Sequence, residues 1–325
     1  MFNYSVILTN MGSCRDRFMT SGYGKKYSNA ELFERLSKIE GVTGVEFISR
    51  ANITRDNLSE IKELLNIYKF KVTSIIPDHF GKQIWGKGAF TAPDPEVRRS
   101  AVEETYSMID IAKELDCDII NIWNGQDGYD YPMQVDYDRT HEWLVEGLRK
   151  CADYGKNIRI ALEYKPKEPR NHSFVTNVSN TMLLIEEIRR DNVGVTIDTG
   201  HSFVASENIS EAAAVASRKG KLYHMHFNDN YRQWDDDMIA GSIHTIEYIE
   251  LFYWLKRLRY DGWISVDQYP YREDSIAAMN QTIKWMKAFE LTALRIDEKR
   301  AEDIFLSQDA VNSTELMREL IFGGV

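Results

Sequence analysis

Short apolar runs rich in β-branched residues recur along this chain. Each is followed by a loop and then by a charged stretch in which apolar residues return at i, i+3, i+4 and i+7, the spacing of one buried helix face. The strand-like runs are 6–10, 44–48, 71–78, 118–125, 158–165, 193–200, 222–229 and 263–270. The helical stretches lie near 29–39, 56–68, 95–115, 138–154, 177–190, 209–218, 244–258 and 274–290. Strand then helix, eight times over, predicts an α/β fold: a single (β/α)8 TIM barrel. A chain of 325 residues would otherwise suggest two domains at roughly 150 residues each. No Pro/Gly/Ser-rich linker interrupts the series, however, so one barrel over 1–296 is expected. Residues 297–325, rich in charge and helix formers, read as a C-terminal helical extension that packs outside the barrel or on a neighbouring subunit.

Composition narrows the function. Asp and Glu number 50 against 40 Lys and Arg, a formal net charge of -10, which argues against a nucleic-acid binder because phosphate affinity rests on clustered cations. Apolar residues make up 43%, enough for a large core and too many for a disordered chain. Cys14, Cys117 and Cys151 are odd in number, far apart and without a CxxC pair, so neither a structural zinc nor a disulfide framework is expected. With no signal-like start and no long apolar run, the sequence reads as a soluble cytoplasmic protein with no membrane partner.

In a barrel of this kind the C-terminal strand ends face the reaction site. The last four strands end in Glu163-Tyr164-Lys165, Asp198-Thr199-Gly200-His201, His224-Met225-His226 and Asp267-Gln268. Side chains alternate along a strand. Ile158, Ile160 and Leu162 therefore face the helices and leave Glu163 and Lys165 pointing into the mouth. Val195 and Ile197 do the same for Asp198, Ile264 and Val266 do it for Asp267, and His226 stands above His224. Glu163, Asp198, His226 and Asp267 thus converge as three carboxylates and one imidazole. That hard set suits Mn²⁺, Mg²⁺, Co²⁺ or Zn²⁺. Without a cation, burying three carboxylates together would force large pKa shifts.

A second group lies just above. His201 follows Asp198 by three residues, and Asp235-Asp236-Asp237 follow His226 across a short loop, so these residues are candidates for a weaker second metal or for ordering a substrate. Lys165 is placed to polarise a substrate oxygen. Trp123, Asn124, Gln126 and Tyr129, in the loop after the fourth strand, offer the rings and amides that sugars favour. His79, after the third strand, is a candidate acid or base near the mouth. His141 and His172 have helix and loop contexts, and Cys14 lacks the His–Asp company of a nucleophile.

Together, Glu163-Tyr164-Lys165-Pro166-Lys167-Glu168-Pro169, Asp198-Thr199-Gly200-His201, His226-Phe227-Asn228-Asp229, the Asp235-Asp236-Asp237 loop and Asp267-Gln268 resemble the xylose-isomerase-like TIM barrels, and within them the L-rhamnose-isomerase type. Residues from about 5 to 290 share the likeness, including Gly241 to Trp263 ahead of the last strand. The resemblance implies a divalent ion, often Mn²⁺, held by Glu163, Asp198, His226 and Asp267 and completed by sugar oxygens. It further implies proton removal beside a carbonyl, or a hydride shift, with a carboxylate ligand doubling as base. In the rhamnose type the equivalents of His201, Asp235 and Asp237 hold a second ion. This chain departs from that pattern by one extra residue between His226 and the Asp loop. It also has Asp267 where the ketose 3-epimerases place a Glu.

The α subunits of C-glycoside deglycosidases are similar in length, in the loop 125–132 and in lacking large insertions. That similarity makes a carbon–carbon lyase cleaving 3-oxo-C-glycosides, capped by a small β subunit, the specific expectation. The alternative is an aldose–ketose isomerase or ketose 3-epimerase acting as a homo-oligomer. Two other classes fit less well. An endonuclease on this barrel would need more His ligands and a basic groove, and a non-catalytic sugar-binding module would leave Lys165 paired away from the mouth.

Overall fold

The structure, a computed structural model, describes residues 1–323. Eight parallel strands close into a barrel: β1 (Asn3–Ile7), β2 (Val42–Ile48), β3 (Lys71–Ile76), β4 (Ile119–Trp123), β5 (Arg159–Glu163), β6 (Val193–Asp198), β7 (Leu222–Phe227) and β8 (Trp263–Val266). Each strand pairs with its neighbours in sequence, and β8 closes on β1. Around them run α1 (Asn29–Leu36), α2 (Leu58–Tyr68), α3 (Pro95–Glu114), α4 (Tyr137–Tyr154), α5 (Val178–Ile188), the short α6 (Thr199–Val204), α7 (Ile209–Arg218), α8 (Thr245–Arg257) and α9 (Ser275–Ala293). Among the described residues no helix is long and apolar enough to cross a membrane.

The chain makes these elements for local reasons. Ser28 and Glu31 form a reciprocal capping box at the start of α1, and Asp94, Asp136 and Asn177 cap α3, α4 and α5 through their side chains. Along each strand the outward residues, such as Val6, Val45, Phe47, Ile75 and Ile122, are fully buried under the helices. The inward ones are polar and equally buried: Ser5, Glu46, Ser74, Asn121, Thr196 and His224. Ile119, Ala161 and Tyr223 form a separate small apolar cluster near the N-terminal strand ends. The barrel interior is therefore closed by apolar side chains at one end and becomes progressively more polar toward the mouth.

Several boundaries differ from the sequence pattern. The first strand is Asn3–Ile7 rather than 6–10, because Leu8–Met11 coils into a 3-10 turn. That turn brings Asn10 over the barrel, where its carboxamide donates to Asp267 at 3.0 Å. The third strand stops at Ile76, since Pro77 has no N–H to continue the ladder. The run at 193–200 ends at Asp198, whose carboxylate accepts from the His201 N–H at 2.8 Å and starts α6. The extension forms α10 (Glu298–Ser307), which lies on α8 of the same chain, and α11 (Ala310–Phe322), which is tied back to α10 by the Arg300–Glu319 ion pair. Tyr253 donates to Glu298 at 3.0 Å, Arg257 pairs with Glu302 at 3.1 Å, and Phe305 packs on Trp254.

Candidate metal centre at the barrel mouth

Glu163 is the last residue of β5, Asp198 the last of β6, His226 the penultimate residue of β7, and Asp267 follows β8 directly. Strand register sets Asp198 beside His226. One donor atom from each of the four residues lies within 4.8 Å of all the others. His226 Nδ1 is 3.5 Å from Glu163 Oε2 and 3.5 Å from Asp267 Oδ2.

Each of the three carboxylates is held from behind. Asn121 donates to Glu163 at 2.6 Å, Asn228 donates to both oxygens of Asp198 at 3.1 and 2.9 Å, and Asn10 holds Asp267. Gly200 permits the Asn228 contact, because a methyl group there would collide with that carboxamide. Such neutral amide donors fix carboxylate orientation without cancelling its charge.

The electrostatics show the strain of this gathering. Burial raises Asp198, and together with repulsion from Asp235, Glu163 and Asp267 it outweighs the pull of His201, leaving the carboxyl at about 7. For Glu163 burial is opposed by the imidazoles of His226 and His201 and by Asn121, which bring it down to about 2. Burial disfavours His226 as a cation, yet Glu163 and Glu46 hold its pKa well above the ordinary imidazole value. Buried His226 Nδ1 has no well-formed hydrogen-bond partner among the described residues, although three carboxylates surround it. An aimed, unpartnered nitrogen within an oxygen-rich cage fits a divalent ion.

A second cluster, Asp198, His201 and Asp235, adjoins the first. His201 bonds Asp235 Oδ2 through Nε2 at 3.1 Å and faces Glu163 through Nδ1 at 3.3 Å. Lys165 Nζ also reaches Asp235, at 2.7 Å, and Glu168 at 3.3 Å. Burial lowers the Lys165 pKa, but Asp235, Asp237 and Glu168 more than reverse this and keep the side chain cationic. Burial likewise opposes a charged His201, and Asp198 and Asp235 bring it up to about 9. Both clusters open into a cavity of about 900 Å³, walled by Trp123, Phe80 and Trp234.

The sequence matches the family described as the xylose isomerase-like TIM barrel over residues 33–289. The chain belongs to that family. It is 30% identical over 187 residues to the xylose isomerase of Thermus thermophilus, a match covering 56% of this chain and 48% of the other, so it spans about half the length of that curated relative. Among solved structures it is similar to a D-tagatose 3-epimerase-like protein, with a TM-score of 0.66, 21% identity and coverage of 90% of this chain and 99% of that one. The 3-keto-D-glucoside 4-epimerase of E. coli superposes at 0.69 with 17% identity, covering 88% and 99%. An L-ribulose 3-epimerase gives 0.69 at 15%, covering 95% and 99%. At these identities the superpositions speak for the shared barrel.

Within this xylose isomerase-like frame, Glu163, Lys165, His201, Asp235, Asp237 and Asp267 line the cavity, as do Trp123 and Gln126. Asp198 and His226 are fully buried in the cluster and do not line the cavity, and three other expected residues lie away from the mouth. His79 is wholly buried under α3: its Nε2 sits 3.1 Å from the Ala101 carbonyl, its ring packs on Phe90 and Trp85, and burial lowers its pKa. Pro77 has turned the chain away from the strand direction, and it is Phe80 that reaches the mouth. Asn124 is spent inside its own loop on Asp127, at 3.0 Å. Tyr129 packs between Tyr137 and His172, in a two-stranded ribbon with His172–Ser173.

His141 pairs with Glu187 at 2.7 Å on the outer surface. Cys14 lies near the site, but burial and then the charges of Asp237 and Asp267 push its thiol up to about 12, which leaves it un-nucleophilic. The residues that sequence reasoning missed are the supporting ones: Asn10, Asn121, Asn228 and Glu46. A signal for Glu46 existed, since it is the one charged side chain in the run Gly44–Ile48 and falls between the outward-facing Val45 and Phe47.

Proposed function

We propose that this protein is a divalent-cation-dependent sugar isomerase or epimerase, acting by proton transfer at the carbon beside a carbonyl. The observation that carries the reading is the unpartnered His226 Nδ1 set among Glu163, Asp198 and Asp267 at the open end of the barrel. A cation bound there, Mn²⁺ foremost, would polarise a substrate oxygen and acidify the adjacent C–H. Glu163 and Asp267 face that position from different strands, one to take the proton and the other to return it, to the neighbouring carbon in an isomerase or to the opposite face in an epimerase. Lys165 and His201, held cationic by their carboxylate neighbours, donate hydrogen bonds to the oxygen that gains negative charge. Trp123 and Phe80 supply an apolar wall for the C–H face of a sugar and keep water from the enediolate.

The similar proteins are named as isomerases and epimerases, which favours this reading over the carbon–carbon lyase suggested by the deglycosidase likeness. A lyase would share the first proton abstraction and then expel an aglycone. It would be expected to carry a small capping subunit, whereas the isomerase fits a homo-oligomer. The test is turnover of ketoses, aldoses and 3-keto-glycosides with Mn²⁺ in D₂O. One deuterium should enter beside the carbonyl, and chelation should abolish turnover. Glu163→Gln is expected to lower kcat by about 10²–10⁴-fold. Full activity in metal-free protein overturns the proposal, isomerisation without deuterium uptake replaces proton transfer by a hydride shift, and aglycone release from a 3-oxo-C-glycoside assigns the lyase.

A further inference from the structure

Beneath the four ligands lies a carboxylate that the chemistry above does not use. Glu46, from β2, crosses the barrel lumen to β7. It is wholly buried, with one oxygen 2.7 Å from His224 Nε2 and the other 3.2 Å from His226 Nε2, and Ser74 donates to that second oxygen. The Nδ1 atoms of both histidines are buried and lack partners. The His226 ring thus bonds Glu46 below through Nε2, while its unbonded Nδ1 faces Glu163 and Asp267 above, each at 3.5 Å.

We infer that Glu46 is the positioning residue of the metal centre: by accepting the Nε2–H of His226 it fixes the tautomer that presents a bare Nδ1 to the cation. The inference rests on the metal-dependent reading of the site. A neutral imidazole carries one proton, and the hydrogen bond made by one nitrogen decides which face is the ligand. Only a group that accepts at Nε2 leaves Nδ1 free, and an ionised carboxylate can only accept.

Glu46 does this for two rings at once, which is what makes an amide a poor substitute. A Gln at 46 has one accepting oxygen. Turned toward His224, it would present its NH₂ to His226 Nε2 and drive the His226 proton onto Nδ1, the ligand atom. Glu46, His224 and His226 could alternatively form a cation site of their own. His226 would then have to bind one ion on each nitrogen, and the lower ion would meet a single carboxylate in an enclosed space.

The experiment titrates Mn²⁺ into wild-type protein and Glu46→Gln by calorimetry, with the ion count taken by elemental analysis. In parallel, ¹⁵N-histidine spectra are recorded on wild-type protein loaded with diamagnetic Zn²⁺. Expected are a 10–100-fold loss of Mn²⁺ affinity in Glu46→Gln with no change in the ion count at saturation, and His226 protonated at Nε2 in the loaded wild type. The spectrum keeps the question answerable if the variant fails to fold. Affinity unchanged within twofold, a proton on Nδ1, or loss of one separate ion while the mouth site keeps its wild-type affinity would each overturn the inference. Wild-type protein that takes up no divalent ion would sink the function proposed above and this role with it, whereas tight wild-type binding with an unaffected variant removes only the role of Glu46.

Discussion

A buried ionisable side chain at this mouth acquires its character from its neighbours. Lys165 shows this best: burial alone would make it a neutral amine, yet Asp235, Asp237 and Glu168 hold it as an ammonium. In the proposed reaction it would therefore act as a donor to developing negative charge and not as a base. Replacing it with Met removes that donor and leaves Asp235 with a smaller share of compensating charge. Lys165→Met is expected to lower kcat by roughly 10²–10³-fold, with a much smaller change in KM. Steady-state kinetics on the Mn²⁺-loaded protein check this, and a raised KM with kcat unchanged would show that Lys165 binds ground state and transition state alike. His79, by contrast, was legible only as a His after a strand. Whether it faced the mouth depended on the turn at Pro77, which buried it among Ala101, Phe90 and Trp85.

Elements matter here through their ends. Asp198 closes β6, caps α6 and belongs to the candidate metal cluster, so strand, helix and cluster share one side chain. The end of β2 is tied to α3 in a comparable way, by Glu104, which accepts from Ser49 and pairs with Arg50 at 2.6 Å and Lys82 at 3.7 Å. Burial pushes the Glu104 carboxyl up, but Arg50, Ser49 and Lys82 outweigh it and hold the pKa below the ordinary value. A carboxyl depressed on folding stabilises the fold above its unfolded pKa, and that contribution is lost as pH falls through the folded value. The stability gap between wild type and Glu104→Gln should thus be full near neutrality and shrink on acidification below the usual glutamate range. Urea melts at a series of pH values measure it, and a gap that grows toward acid contradicts the assignment.

For the whole molecule, the mouth concentrates buried negative charge that the fold alone leaves poorly compensated, with Asp198 at about 7 and Asp237 pushed well above its ordinary value by burial and by Asp235 and Asp267. A cation that binds only the folded state adds stability by mass action, about 2.7 kcal/mol at a hundred times its Kd. For a chain of this length Mn²⁺ is then expected to raise Tm by several degrees, and chelator to reverse the shift. An unchanged melting curve at saturating Mn²⁺ would count against the centre.

The alternation of apolar runs with helical periods was sufficient, by itself, to specify the eight-unit barrel, because strand and helix periodicities are local and the short connections leave few ways to join them. The same alternation placed Glu163, Asp198, His226 and Asp267 on the inner face, since side-chain direction along a strand follows from parity. It did not reach residues whose role is set across space. Asn10 meets Asp267 from 257 positions away in sequence, Glu46 meets His226 from 180, and Asn124 turns inward on Asp127. Barrel closure, strand register and loop turns decide these contacts, and such long-range pairings leave no periodic trace in the chain.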